Sequence, residues 1–159
     1  MKHIELRQII LLGDEVMPLV IEAESQGHRF MRRLVDDWFS GANRFQKTGE
    51  FLLSACIEGR LVAVGGLNKD PYALIEHVGR LRHVYVLDTA RRLGIGTLLV
   101  KRIMEDAAES FSMLRLRTKT TDAAEFYERL GFQKTSEQSA THVISLKVIG
   151  SNSDAPNIT

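Results

Sequence analysis

The stretch YVLDTARRLGIGTLLVKRIM, residues 85–104, joins an apolar run to an amphipathic pattern through a basic turn that contains two glycines. The residues up to Val86 have the composition of a strand, and those after Gly94 have apolar side chains at helical spacing. The first turn of a helix presents backbone N–H groups without partners and the positive end of the helix dipole. This junction therefore predicts an anion site between a strand and a helix.

The two glycines of this turn indicate that the anion is a phosphate. Gly94 and Gly96 lack the Cβ atoms that would keep a phosphate away from the backbone, and Arg91 and Arg92 add positive charge. The alternative is that the glycines only shape a tight turn and the arginines are solvated. A Walker loop needs Gly-Lys-Ser/Thr, which does not follow here, and a dinucleotide fingerprint needs a third glycine where this chain has Leu99. Both nucleotide-binding motifs are therefore excluded.

Composition limits the class of protein to which this junction can belong. The 159 residues are 44% apolar, which is enough for one domain with a core, and the net charge is +1. We therefore expect neither nucleic acid nor a membrane as a partner. No apolar run approaches the length of a signal or membrane segment, which favours a cytoplasmic protein. Cys56 is the single cysteine, so we expect a buried thiol and no metal site.

The rest of the chain alternates between strand and helix patterns. HIELRQI predicts a strand, and DEVMPLVIEAESQ and FMRRLVDDWFS predict two helices. EFLLSACIEGRLVAVGGL predicts a hairpin that turns at Glu58 and Gly59, and residues 68–79 form a loop long enough to suggest a function. The later elements are the strand RLRHVYVL, a helix over 94–111, the strand MLRLRTK, the helix AAEFYERLG and the strand THVISLKV. The residues of the 94–111 helix predicted to be buried are Ile95, Leu98, Leu99, Ile103 and Ala107.

This order of elements predicts a mixed sheet with both faces covered, in which the 94–111 helix is a right-handed crossover between parallel strands. We expect a single domain over residues 1–148. The polar segment 149–159 is expected to be a flexible tail.

Two motifs together carry a resemblance to a known family. Arg91-Arg92-Leu93-Gly94-Ile95-Gly96 has the pattern Arg-x-x-Gly-x-Gly, and AAEFYERLGF follows at residues 123–132. The pair resembles the GNAT superfamily of acetyl-CoA-dependent N-acetyltransferases, over most of the chain. The resemblance implies an α/β fold: a mixed, mostly antiparallel central sheet of six to seven strands, flanked by about four helices and splayed at the strand that ends near Val86.

The resemblance also implies where the coenzyme lies. The backbone of Val84, Tyr85 and Val86 would pair with the pantetheine arm, and the Val86 amide would polarise the thioester carbonyl. The pyrophosphate would be held by the backbone amides of Arg92, Leu93, Gly94, Ile95, Gly96 and Thr97. Arg91 is expected to contact the coenzyme through its charge. Many members carry an asparagine that contacts the coenzyme seven residues before the motif tyrosine. This chain has Thr120 there, which is the candidate contact, and Asp122 is a candidate cap for the helix that follows.

For catalysis, the resemblance points to Tyr127, whose phenol would donate a proton to the departing thiolate. Its alternative role is packing on an amphipathic helix. Many members use a strand glutamate as the base, and this chain has Arg80 at that position. Glu76 or His83 is then the candidate base, and removal of the proton by water or the arrival of a neutral amine is an equal alternative.

The acceptor is less defined. The segment GRLRH is typical of a solvated strand face, but beside the cleft it could attract an acceptor with a carboxylate or phosphate. Acidic residues that could offset it are Asp36, Asp37, Asp70 and Glu76. A small-molecule amine or a peptide amine is the expected acceptor, and a homodimer stays open. A non-catalytic acyl-CoA-binding or sensing module on the same fold is the alternative function.

Overall fold

The computed structural model describes residues 3–146, so the tail predicted for residues 149–159 lies outside the described residues. The strands form one sheet in the order β1-β2-β3-β4-β5-β7-β6. They are β1 (Ile4–Gln8), β2 (Phe51–Ile57), β3 (Arg60–Lys69), β4 (Val78–Val86), β5 (Met113–Leu116), β6 (Gln133–Lys134) and β7 (His142–Ser145). The helices are α1 (Met17–Ser25), α2 (Phe30–Ser40), α3 (Ile95–Ala107) and α4 (Thr121–Arg129). Short 3-10 turns precede α1 at Asp14–Val16 and follow β4 at Asp88–Ala90.

The predicted fold class is confirmed. Every strand pair is antiparallel except β4 with β5, which are parallel neighbours joined through α3. Helices cover both faces, as two adjacent glycines of β3 show. A Cβ on Gly65 would lie 2.8 Å from Ile103 of α3, whereas one on Gly66 would lie 2.6 Å from Phe45, whose ring packs against Trp38 of α2.

The β2–β3 hairpin forms as predicted. Glu58 (φ 51°) and Gly59 (φ 81°) both have positive φ, as a two-residue type I′ turn requires, and they place Ile57 opposite Arg60. The loop after β3 is shorter than predicted and spans residues 70–77. Asn68 and Lys69 extend β3 because they pair with β4.

Helix α3 buries four of the five predicted residues, namely Ile95, Leu99, Ile103 and Ala107. The prediction for Leu98 is wrong: this side chain is 42% exposed, and Val100 is fully buried instead. Residues 98 and 100 lie about 100° to either side of residue 99 around the helix. A buried face centred near residue 99 can therefore include only one of them fully. Cys56 is buried and free, as predicted.

The strand β6 is absent from the sequence prediction. Its two residues, Gln133 and Lys134, are exposed and pair with Val143 and His142 of β7. A two-residue polar strand has no period to detect, so only its position beside β7 defines it.

Candidate functional site

The site begins where β4 separates from β5. The two strands pair only from Val78 to Arg80, whereas β4 stays paired with β3 as far as Val86. A gap therefore opens between β4 and β5 beyond Arg80, and the second half of β4 presents an unpaired edge to it. The resemblance implied a splay near Val86, and the pairing is lost six residues earlier along the strand.

A bulge in β4 sets which backbone groups face this gap. Gly66 is opposite Arg82 and Val64 is opposite Tyr85, so one residue of β3 faces the two residues His83 and Val84 of β4. His83 has φ 59°. After the bulge, the Leu87 N–H donates to Val62 O on β3 at 2.8 Å. Alternation along the strand then directs the backbone groups of Val84 and Val86 into the gap.

The start of α3 supplies a row of free donors beside this edge. Backbone amides of residues 92–97 donate no hydrogen bond to any other residue within 3–146, and the first helical bond is from Leu98 N to Gly94 O at 3.0 Å. No side chain caps this terminus. Arg92 (φ 67°) and Gly94 (φ 78°) have positive φ, which curls the backbone into a concave row of N–H groups. This arrangement fits a pyrophosphate.

The glycines of the motif have different surroundings. A Cβ on Gly96 would lie 3.4 Å from Cζ of Phe126 on α4 and 3.6 Å from Cγ2 of Val86, so it would narrow the space between α3, α4 and β4. A Cβ on Gly94 would have no atom within 4 Å, but the positive φ of this residue favours glycine. Gly96 therefore keeps space open, and Gly94 shapes the turn.

Arg91 lies against the strand instead of projecting past the helix terminus. Its Nε donates to Val86 O at 2.9 Å, and its guanidinium lies 5.3 Å from the centre of the Tyr85 ring. The Tyr85 hydroxyl donates to Glu22 of α1 at 2.6 Å, and burial together with this carboxylate raises the pKa of Tyr85. Glu22 also accepts from the Asp88 amide at 2.9 Å. Sequence reasoning missed Glu22, which ties α1 to the end of β4 from 63 residues away.

Tyr127 is buried on α4, with its ring 5.0 Å from that of Phe126 and 5.6 Å from that of Phe132, measured between centroids. Burial raises the pKa of this phenol, so it holds its proton at neutral pH. Because Phe126 is the residue that faces Gly96, α4 lies against the start of α3.

The cap of α4 differs from the sequence prediction. The Thr120 Oγ1 accepts from Ala123 N at 3.1 Å, so Thr120 is the N-cap. The prediction that Asp122 caps this helix is wrong, because Asp122 already lies in the first turn. Its charge still favours the positive end of the helix dipole.

The two candidate bases lie in different environments. His83 is buried, and its Nδ1 donates to Phe30 O at 2.8 Å, which leaves the Nε2 lone pair without a donor among residues 3–146. Burial, with a smaller contribution from the charge of Arg82, lowers the pKa of His83 to about 4, so the imidazole is neutral. Glu76 is exposed in the 70–77 loop and makes no ion pair or side-chain hydrogen bond within the described residues. The structure does not bring these two residues together.

A different carboxylate lies beside Arg80. The Asp70 side chain is fully buried, and its Oδ2 is 3.5 Å from both Arg80 Nη1 and Arg115 Nη1. The other oxygen, Oδ1, accepts from Tyr72 N at 2.8 Å. Sequence reasoning counted Asp70 only as a neighbouring charge, since nothing local to it indicates Arg115, which is 45 residues away and reaches it through the β4–β5 pairing.

Other site types find no support in the described part of the chain. Among residues 3–146, no three His, Cys, Asp or Glu side chains are grouped as metal ligands. None of the helices described there has the length and apolar character to cross a membrane. A surface depression lined by residues such as Ile9, Cys56 and Leu61 contains none of the predicted site residues. The candidate coenzyme site is therefore recognised by its free backbone donors and not by this depression.

Comparisons with known proteins agree with this arrangement. The sequence profile of the "Acetyltransferase (GNAT) family" matches residues 14–132. A crystal structure of a "putative acetyltransferase" from Exiguobacterium sp. 255-15 is 30% identical and superposes with a TM-score of 0.81, over 90% of this chain and 93% of that one. A GNAT-family acetyltransferase from Staphylococcus aureus Mu50, 17% identical with a TM-score of 0.71 over 90% of this chain and 100% of that one, shares the fold.

A "putative acetyltransferase" of Bacillus subtilis (strain 168) is 32% identical over 68 residues, which are 41% of this chain and 44% of that relative. The match thus spans less than half the length of that protein. The profile match is the broader one, since it includes β2 to β5, the glycine turn and α4. The chain belongs to the acetyltransferase (GNAT) family.

Proposed function

We propose that this protein moves an acetyl group from acetyl-CoA to a primary amine, by direct attack in a ternary complex. Family membership supports acyl transfer in general. The observation that carries the proposal is the row of free amides at residues 92–97 beside the unpaired edge of β4. Six consecutive donors at one helix terminus suit an acceptor with several oxygens, and a pyrophosphate provides one.

In this proposal the backbone holds the coenzyme. Amides of residues 92–97 bind the pyrophosphate, and the gap-facing groups of Val84 and Val86 pair with the pantetheine arm as a further strand would. Arg91 donates to the Val86 carbonyl, so the Val86 N–H is the group of that residue left for the coenzyme. Thr120, at the start of α4, stays a candidate contact.

Bound acetyl-CoA supplies an acetyl thioester as the electrophile. The Val86 N–H then stabilises charge that develops on the carbonyl oxygen. The amine nitrogen forms the new amide bond, the carbon–sulfur bond breaks, and the sulfur takes a proton from the phenol of Tyr127. The phenol of Tyr127 is protonated at neutral pH and can donate, although burial raises its pKa and so makes it a weaker acid than an exposed tyrosine. The proton that the amine loses passes to solvent and restores the phenol.

His83 and Glu76 stay as the candidate bases for the amine. A pKa of about 4 makes His83 a weak base, although its free Nε2 can accept a hydrogen bond. Glu76 could act only from the exposed 70–77 loop. An amine that arrives neutral, or one that loses its proton to water, needs neither residue.

The position of Arg80 supports a second candidate function, a non-catalytic acyl-CoA sensor. The guanidinium occupies the strand position where many relatives carry their base, and it is held by Ser139 O at 2.8 Å and by Asp70. Such a module would bind acetyl-CoA through the same amides but would release no coenzyme A when amines are supplied.

Acetyl-CoA should stabilise the folded protein. At 100 times its Kd, a ligand that binds only the native state adds about 2.7 kcal/mol to the free energy of unfolding, which thermal denaturation detects. ATP, which has phosphates but no pantetheine arm, should shift the midpoint less. Equal midpoints with and without saturating acetyl-CoA would contradict coenzyme binding. If binding is found, coenzyme A release followed with a thiol reagent across an amine panel separates the enzyme from the sensor.

A further inference from the structure

Four arginines lie beside the gap between β4 and β5. Arg80 is directly opposite Arg115 in the β4–β5 pairing. Arg82 follows Arg80 by two residues on β4, before the bulge, so alternation places it on the same face. Arg117 follows Arg115 by two residues, just past the end of β5, and bonds to the same loop as Arg80 and Arg115. The face that Arg80 and Arg82 share is the α2 face, since Arg82 is opposite Gly66.

Three of these arginines are committed to the loop between β6 and β7. Arg80 donates to Ser139 O at 2.8 Å, and Arg117 donates to Gln138 O at 2.9 Å. Arg115 pairs with Glu137 at 2.6 Å and also shares Asp70 with Arg80. The charges and N–H donors of these three arginines therefore join the β4–β5 region to the loop between β6 and β7.

Arg82 is the exception. It is half-buried, and its shortest hydrogen bond is a 3.4 Å contact from Nη1 to Asn68 Oδ1. Asn68 is itself fixed by two 2.9 Å bonds with Asn43, which orients the guanidinium. Within residues 3–146, no carboxylate lies within 4.0 Å of Arg82. This guanidinium is therefore available to pair with an anionic ligand.

The neighbours of Arg82 do not offset its charge. His83 is neutral, and Arg33 of α2 adds a second positive charge close enough to His83 to lower its pKa further. The surroundings of Arg82 are thus electropositive, which favours an anionic ligand.

Arg82 is also placed to contact the acceptor. It lies two residues beyond the last β4–β5 pair and immediately before the bulge that precedes Val84. Arg82 and Val86 are four strand residues apart, about 13 Å, and the long arginine side chain can bridge part of this distance. An anion held by Arg82 and an amine at the proposed acetyl position can therefore belong to one small molecule.

We propose that the acceptor is a small amine with a carboxylate near its amino group, as in a free amino acid, and that Arg82 binds this carboxylate. The inference rests on the proposed acetyl transfer and names its substrate class. A guanidinium matches a carboxylate through two parallel N–H···O bonds.

The test compares each of the common L-amino acids with its carboxamide, which has a similar shape and no negative charge. Coenzyme A release gives kcat and KM, and calorimetry with coenzyme A present gives the affinity for N-acetyl-amino acids and N-acetyl-amino amides. We expect at least one amino acid to react with a kcat/KM 10 to 100 times that of its amide, as is typical of a charged hydrogen bond. Its N-acetyl product should bind more tightly than the corresponding amide.

Arg82→Gln should abolish this preference by raising KM for the acid 10- to 100-fold, with kcat for the amide and the Kd for acetyl-CoA little changed. Arg117→Gln is the matched control: it makes the same change at an exposed arginine already bonded to the loop, and should keep the preference. Arg82→Lys should restore part of it.

Amides that react and bind as well as the acids, or an Arg82→Gln protein that keeps the preference, overturn the proposal while acetyl transfer stands. Acetyl-CoA binding without coenzyme A release for any amine instead overturns the transfer, and the carboxylate proposal falls with it.

Discussion

At the scale of single residues, Gly94 and Gly96 differ in what an added methyl group would do. Gly94 has positive φ and open space, whereas Gly96 has ordinary helical φ and a nearby Phe126. Substitution by alanine therefore separates the shape of the turn from the space for the coenzyme. The motif Gly-x-Gly alone does not distinguish these two effects.

Gly96→Ala should fold with unchanged or slightly higher stability, because alanine favours a helix by up to about 1 kcal/mol over glycine. Its affinity for acetyl-CoA should fall at least 10-fold, since the methyl group fills the space between Phe126 and Val86. Gly94→Ala should cost about 1 kcal/mol of stability. Urea denaturation and calorimetry measure the two quantities. Leu98→Ala, exposed on the same helix, is the control. Undiminished affinity in Gly96→Ala would remove this space from the coenzyme site.

Tyr127→Phe tests the acid. The variant keeps the ring that packs between Phe126 and Phe132 and removes only the hydroxyl. We expect kcat to fall by roughly 10²–10⁴-fold, the range of general acids, with the Kd for acetyl-CoA little changed. Phe126→Leu serves as a packing control, since it alters the neighbouring ring but leaves the phenol. An unchanged kcat in Tyr127→Phe would make Tyr127 a packing residue.

At the scale of elements, the short contact of β4 with β5 depends on a buried charge cluster. Arg80 and Arg115 are the last paired residues before the gap, and Asp70 from the 70–77 loop lies between their guanidinium groups. The carboxylate allows two buried arginines to face each other across adjacent strands. It also anchors the loop that follows β3, which helps define where the strands separate.

Asp70→Ala should therefore destabilise the fold by about 3 kcal/mol, because it leaves two buried guanidinium groups without their shared anion. Denaturant titration measures the loss. Asp106→Ala, which breaks the exposed pair with Arg102 on α3, should cost less than about 0.5 kcal/mol. A similar small loss in both variants would show that Ser139 and Glu137 alone satisfy the arginines.

The elements also show what sequence can establish. The α3 junction was predicted correctly because its signals are local: an apolar run, a glycine turn and a helical period. Asp70, Glu22 and β6 were missed because each acquires its role from a partner distant in sequence. The positions of Arg80 and Arg82 in the chain do not reveal that Arg80 has a carboxylate partner and that Arg82 has none within residues 3–146. That difference depends on Asp70 of the 70–77 loop, which pairs with Arg80.

At the scale of the whole molecule, the packing of α2 against β4 encloses His83, and this couples folding to pH. The imidazole donates to the first residue of α2 and has its ring 6.3 Å from that of Phe45. Its pKa is about 4 in the folded protein and about 6.5 in an unfolded chain. Between these values the unfolded state binds a proton that the folded state does not, so stability falls as the pH falls.

The free energy of unfolding should thus be fully retained above pH 6.5 and should decline by about 3 kcal/mol as the pH falls toward 4, for a difference of this size between the two pKa values. Urea denaturation at several pH values between 7.5 and 4.5 measures the slope. His83→Asn is the matched variant, because asparagine tolerates the φ of 59° and its amide can donate to Phe30 O, yet it does not titrate. Between pH 6.5 and 5, the free energy of unfolding should change less with pH in the variant than in wild type. This range lies above the ordinary pKa values of carboxylates. Parallel slopes for the two proteins would mean that His83 takes up its proton as readily in the folded state as in the unfolded one, and that α2 opens enough at this point to admit water.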